Sequence, residues 1–388
     1  WCFDPVDWPN PQAMVDELES LGIKLMVSVW PTVEARSPLF PQMKAKGWLV
    51  TSDRGVQVNL DFMGNTTFFD ATHPQARRFV WETVKKNYYD LGIKLFWLDE
   101  AEPEYRAYDF DNYRYHAGPV LEVGNRYPRD FAQGFYDGLR EAGERDIVNL
   151  VRCSWAGSQR YGVLAWSGDV HSSFHAFRNQ LAAGLNMGLA GIPWWTTDIG
   201  GFQGGNIHDP AFHELLIRWF QWAVFCPVLR MHGYREPRVQ PPESYRNGIP
   251  QCDSGSPNEL WSYGAENYAI MQRWLEVRER LRPYIDALYD NAHRHGDPLM
   301  RPLFWHYPDE PQSWQTEDQY LFGEDLLVAP VMHAGQRQRD VWLPSGNAWI
   351  GLDGERYQGG QRIAVAAGLE TIPLFIREGS PLITVLVR

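Results

Sequence analysis

What most constrains this chain is a recurring order: a short apolar run of strand length, a cluster of chemically active residues, then a segment with helical periodicity. Ile23 to Trp30 ends at Pro31, and Ile93 to Leu98 ends in Asp99-Glu100-Ala101-Glu102-Pro103-Glu104. Asp146 to Arg152 follows, then Gly162 to Trp166, ending in Ser167-Gly168-Asp169. Gly188 to Trp195 ends in Thr196-Thr197-Asp198-Ile199-Gly200-Gly201, and Pro227 to Met231 ends in His232-Gly233. Strands alternating with helices predict an α/β fold with a parallel sheet and right-handed crossovers. In such folds the carboxyl ends of the strands carry the active site.

The intervening segments fit this order. Helices are predicted over Pro11 to Leu21, from Thr72 as cap to about Leu91, Asp130 to Ala142, Phe174 to Met187 and Pro210 to Phe225. Residues 50–70 alternate weakly with turn signals and predict a small β excursion, after a loop and short helix over Ser37 to Lys46. A (β/α)8 TIM barrel has eight strand–helix units. Six strand ends are legible here, and the chain opens on a helix with no strand before it. The expectation is a barrel lacking its first two strands, with the chain starting inside it.

After Gly233 a Pro-rich loop runs to about Pro257, and one long helix is predicted over Tyr263 to His295. From Pro298 short β-like runs alternate with turns: Met300 to Trp305, Leu326 to Val331, Val341 to Leu343, Trp349 to Gly351 and Pro373 to Ile376. The expected organisation is a catalytic barrel over 1–297 and a small antiparallel β-sandwich domain over 298–388.

Composition narrows the partner. A net charge of −12 and a pI near 5.4 argue against nucleic acid or an anionic membrane surface. Aromatics reach 14%, with 18 Trp and 18 Tyr, and indole faces pack well on the C–H face of a pyranose. The partner class is a small-molecule oligosaccharide; a homo-oligomer is left open. Cys2, Cys153, Cys226 and Cys252 have no CxxC spacing, so neither zinc nor a disulfide framework is expected. No metal or organic cofactor is expected. No apolar run approaches the roughly 20 residues that span a bilayer. The first residues lack the marks of a signal peptide, which leans the compartment to the cytoplasm without fixing it.

Two carboxylates across a sugar are the working parts of a glycosidase; in the retaining type they stand about 5–5.5 Å apart. Asp99, at a strand end, suits a rigidly held nucleophile. Asp169, in a flexible turn near Trp166, suits a general acid whose pKa is raised by desolvation. As a bland alternative, Asp169 caps the helix that starts at Phe174. Likewise Arg152 reads as a strand-end ion pair or as a partner that keeps Asp99 ionised, and His232 as a satisfied core histidine. The acidic run Asp99 to Glu104 also allows a hard cation, against which Pro103 argues. Of the adjacent Trp194 and Trp195, at least one belongs to the core.

The segment Trp97-Leu98-Asp99-Glu100-Ala101-Glu102 resembles the nucleophile motif of glycoside hydrolase family 31. Arg152 to Asp169, Trp194 to Phe202 and Arg230-Met-His232-Gly233 resemble further segments of that family, in order. Arg301-Pro-Leu-Phe and Phe322 to Pro330 resemble its β domain. The resemblance implies retaining cleavage of α-glycosidic bonds without a cofactor. It implies Asp99 as nucleophile and Asp169 as acid/base, with Arg152, Asp198 and His232 bonding the sugar. Trp30, Trp97, Trp166 and Phe202 would line the subsite, with Glu102 and Arg230 in support. The wording Phe-Trp-Leu-Asp-Glu-Ala-Glu looks most like the α-xylosidase branch, releasing terminal α-linked xylose. α-Glucosidase or α-transglucosylase activity is the alternative within the family, and an inactive carbohydrate-binding fragment the alternative outside it.

Overall fold

The computed structural model describes residues 1–56, 60–61, 64–103, 110–246 and 249–387; Glu104 of the acidic run lies outside them. The chain forms two compact units, one of residues 1–166 with 243–251, the other of 167–242 with 252–388.

In the first unit a helix over Pro11–Ser20 starts with Pro11, and the Asn10 side chain accepts from the Ala13 amide at 3.1 Å. The strand that follows is Met26–Val29, shorter than expected because its register with Leu95–Leu98 covers four residues. The β excursion is present as Thr32–Glu34, Leu60–Asp61 and Asn65–Phe68, an antiparallel group. His73, not Thr72, caps the helix Pro74–Asn87, accepting from the Gln75 amide. Thr72 is taken instead by Asp70, which accepts from both its amide and its hydroxyl. Gly92, at φ 101°, makes the left-handed turn into the Leu95–Leu98 strand.

The strand Leu95–Leu98 alternates in burial: Phe96 and Leu98 are buried, while Leu95 and Trp97 are half-buried. Phe96 packs with Trp81, Phe131 and Phe135 into an aromatic layer between the sheet and the helices Pro74–Asn87 and Tyr127–Glu141. The strands Asn149–Val151 and Val163–Trp166 complete this part of the parallel sheet. Its register pairs Val29 with Leu98, Leu98 with Val151, and Val151 with Ala165. The next residue on each strand is therefore Trp30, Asp99, Arg152 and Trp166, one row across the carboxyl edge.

In the second unit Ser173 caps the helix Phe174–Leu189, its hydroxyl accepting from the Ala176 amide. The expected strand Gly188 to Trp195 is reduced to Trp195–Thr196, because Gly188 and Leu189 still belong to the helix. The helix Pro210–Ala223 is capped by Asp209. Pro227 to Met231 is not a strand. Pro227 has no N–H to give, and a side chain replaces part of the ladder: Thr196 donates its hydroxyl to the Val228 carbonyl at 3.0 Å. The expected loop after Gly233 instead contains Tyr234–Val239, paired with Gln203–Asn206 and Ser254–Ser256. The predicted long helix is two, Ala265–Arg280 and Arg282–His295, the second opening with Pro283 in its first turn, where a proline is tolerated.

Beyond Pro298 the strands are antiparallel. Met300–Arg301, Tyr320–Phe322, Leu326–Val328, Leu374–Arg377, Ala348–Gly351 and Arg356–Gln358 form one sheet in that order, and Gln338–Leu343 pairs with Gln361–Ala366. Leu303, Leu321, Leu327, Val341, Leu343, Trp349 and Phe375 are its buried core. No helix among the described residues is long and apolar enough to cross a membrane.

Candidate active site

The first unit contributes the row Trp30–Asp99–Arg152–Trp166. Trp30 Nε1 donates to Asp99 Oδ2 at 3.0 Å, and the Glu100 amide donates to Asp99 Oδ1 at 2.9 Å. Arg152 Nη1 lies 3.8 Å from Asp99 Oδ1. The Asp99 carboxyl is thus held on both oxygens, with a guanidinium close by. Arg152 is itself fixed by two other carboxylates, at 2.6 Å from Glu100 Oε1 and 2.8 Å from Glu102 Oε1. Arg152 is thus a strand-end ion pair that also stands beside Asp99. Trp97 meets Trp166 edge to face, with centroids 5.3 Å apart.

Glu100 was read only as one of the acidic run, and its role was missed. It is buried and sits at φ +53°, in the left-handed region that non-glycine residues rarely adopt. Such a conformation is sustained by what it secures, here the amide bond to Asp99 and the carboxylate bond to Arg152. Nothing in the residue pattern signals a positive φ at a glutamate. Trp30 also walls a cavity of about 460 Å³, together with Trp1, Ser28, Glu34 and Tyr88.

The second unit contributes Asp169, Asp198, Phe202, Arg230 and His232. Asp169 follows Gly168, which turns the chain at φ 76°. Ser173, not Asp169, caps the helix Phe174–Leu189, and Asp169 is a half-buried carboxylate at a bend. Asp198 is fully buried two residues past the Trp195–Thr196 strand. Arg230 pairs with its Oδ1, while its Oδ2 is buried with no hydrogen-bond partner among the described residues. Burial pushes the Asp198 carboxyl up to about 7; Arg230 pulls it back and the charge of Asp169 adds to the rise. A buried polar oxygen without a partner is costly, and a ligand hydroxyl would satisfy it.

His232 is half-buried, not a core residue. Its ring stacks on Phe202 at 5.3 Å, and Phe202 stacks in turn on Tyr234 at 6.1 Å. Burial, with Arg230 and Arg235 adding to it, drives the imidazole down to about 3, so it is neutral near pH 7 and offers one donor and one acceptor. Trp195 is core, as one of the tryptophan pair was expected to be; Trp194 is half-buried against Tyr289.

Parallel strands with carboxylates, guanidinium groups and indoles at their carboxyl ends define an α/β protein with its site at that edge. Residues 1–288 match the glycosyl hydrolases family 31 TIM-barrel domain, and residues 296–382 the glycosyl hydrolase family 31 C-terminal domain. An uncharacterised family 31 glucosidase, ORF2, of Pseudescherichia vulneris is 94% identical over 239 residues, 62% of this chain and 45% of that protein. An α-xylosidase of Saccharolobus solfataricus is 34% identical over 98% of this chain and 48% of its own length. Among solved structures, a family 31 α-xylosidase from a soil metagenome, complexed with xylose, is 64% identical with a TM-score of 0.97, covering 100% of this chain and 57% of that one. The chain belongs to glycoside hydrolase family 31. It spans about half the length of the curated relatives it matches.

Proposed function

We propose that the protein carrying this chain is a retaining, exo-acting α-glycosidase that releases terminal α-linked xylose from oligosaccharides by double displacement. Asp99 attacks the anomeric carbon and forms a glycosyl ester. Asp169 gives its proton to the departing oxygen, then takes one from the water that opens the ester. Asp198, Arg152 and His232 hold the sugar hydroxyls; Trp30, Trp97, Trp166 and Phe202 form the walls, with Glu102 and Arg230 as supports.

The observation that carries this reading is Asp99 itself, at a strand end and held on both oxygens beside Arg152. A nucleophile must stay ionised and aimed, and two donors plus a nearby cation favour both. The 64% identity to an α-xylosidase complexed with xylose supports the choice of sugar. A second reading, α-glucosidase, is favoured by the name of the relative that is 94% identical over 239 residues. The two sugars differ by one exocyclic hydroxymethyl group, a difference worth about 1–3 kcal/mol in a shaped pocket.

The test is kcat/KM for 4-nitrophenyl α-xyloside and α-glucoside with the protein at full length. The xyloside is expected to lead by about tenfold or more, and Asp99→Ala to lower kcat on it at least about a thousandfold. Preference for the glucoside overturns the sugar assignment; an active Asp99→Ala overturns the nucleophile.

A further inference from the structure

Arg235 is one of the largest fully buried side chains, and among the described residues no carboxylate bonds it. Its guanidinium instead gathers carbonyls from the segments that carry the second unit's site residues. Nη2 donates to the Ile199 carbonyl at 2.7 Å and to that of His232 at 3.4 Å. Nη1 donates to the Gly201 carbonyl at 2.7 Å and reaches Ser172 Oγ at 3.3 Å. Nε donates to Asn258 Oδ1 at 3.0 Å, and the Phe212 ring lies under the guanidinium, 4.9 Å from its centre.

The surrounding glycines leave room for this fork. A Cβ on Gly233 would stand 2.4 Å from Arg235 Cζ, and one on Gly200 would stand 3.2 Å from Nη2. A buried cation is retained only where its donors are satisfied, and a planar fork spans several carbonyls that an ammonium cannot.

We propose that Arg235 is a positioning residue: by tying Ile199, Gly201 and His232 to one rigid fork, it sets where Asp198, Phe202 and His232 stand. The fork connects the backbone just after Asp198 with the backbone of His232, so both sugar-binding groups move together when it is lost. This rests on the functional reading above for the word sugar, but the placement of the loop does not.

Arg218 supplies the control. It is equally buried, and its donors go to the carbonyls of Gln336, Ala367, Gly368 and Thr371, away from these residues. Arg235→Lys and Arg218→Lys are compared in the full-length protein by amide hydrogen exchange and by kinetics on the better of the two aryl glycosides. In Arg235→Lys, exchange at Gly201, Phe202 and Gln203 is expected to rise at least about tenfold, because their amide bonds to Asp198 and Val170 lose their anchor. A fall in kcat/KM of about tenfold or more, carried mainly by KM, is expected with it. Arg218→Lys is expected to lower thermal stability with both readouts unchanged. Unchanged exchange in Arg235→Lys overturns the proposal whatever the substrate. Raised exchange with unchanged kcat and KM also overturns it, reducing Arg235 to a structural role. If the wild type turns over neither glycoside, the functional reading fails, and exchange alone decides the placement of the loop.

Discussion

Asp198 carries an unusual load for a single carboxylate. It is fully buried, shares one oxygen with Arg230 and keeps the other without a partner among the described residues. Its folded-state pKa, about 7, lies above the ordinary 3.8, so the folded protein binds this proton more tightly than the unfolded chain. The stability Asp198 contributes is then complete below about pH 4 and is lost as the pH rises to about 7. Replacing it with asparagine removes the titration. The thermal midpoint of the wild type relative to Asp198→Asn is expected to fall between about pH 4 and 7 and to level off above that; calorimetry across the range checks it. His232, driven down from 6.5 to about 3, makes stability rise with pH across the same window, but both proteins carry it and it cancels in the comparison.

Asp169 calls for a different experiment, since its proposed work is to protonate a leaving group. General acid catalysis contributes about 10²–10⁴-fold, and mostly for leaving groups that need it. Asp169→Ala is therefore expected to cost about 10²-fold or more on an alkyl or sugar aglycone and far less in the first step on a dinitrophenyl glycoside. A steep dependence of kcat/KM on leaving-group pKa in the variant, absent in the wild type, is the measurement.

At the scale of elements, the helices and strands are short and held by close contact rather than by length. The helix Tyr127–Glu141 lies so near Pro74–Asn87 that a Cβ on Gly138 would fall 2.2 Å from the Trp81 ring. Alanine improves helix propensity by about 1 kcal/mol at such a position. Overpacking a well-filled site costs about 1–3 kcal/mol, and the indole is pinned between Phe96 and Phe135. Gly138→Ala is thus expected to lower the thermal midpoint by a few degrees. Gly134→Ala, one turn earlier, meets only the flexible Arg77 stem and is expected to shift it much less. Helix caps obey the same local economy: His73 caps because Asp70 already occupies Thr72.

For the molecule as a whole, a charge of −12 repels anions but has no long reach toward a neutral sugar. Raising NaCl from about 0.05 to about 0.5 M is expected to change kcat/KM on an aryl α-glycoside less than about twofold, since screening acts only on charged encounters. A strong salt dependence would indicate an anionic substrate.

The residue order alone determined much of this protein. Apolar runs of strand length separated by helical segments made a parallel α/β sheet legible, because periods of two and 3.6 residues bury different faces. The same runs placed Trp30, Asp99, Arg152 and Trp166 at strand ends. That they form one row was decided by register, which depends on how neighbouring strands slide into contact. The capture of Arg152 by Glu100 at a left-handed backbone, the unpartnered oxygen of Asp198 and the carbonyls gathered by Arg235 were likewise settled only in three dimensions. Each joins groups far apart in the chain or rests on a backbone angle, and a one-dimensional pattern carries neither distance nor dihedral.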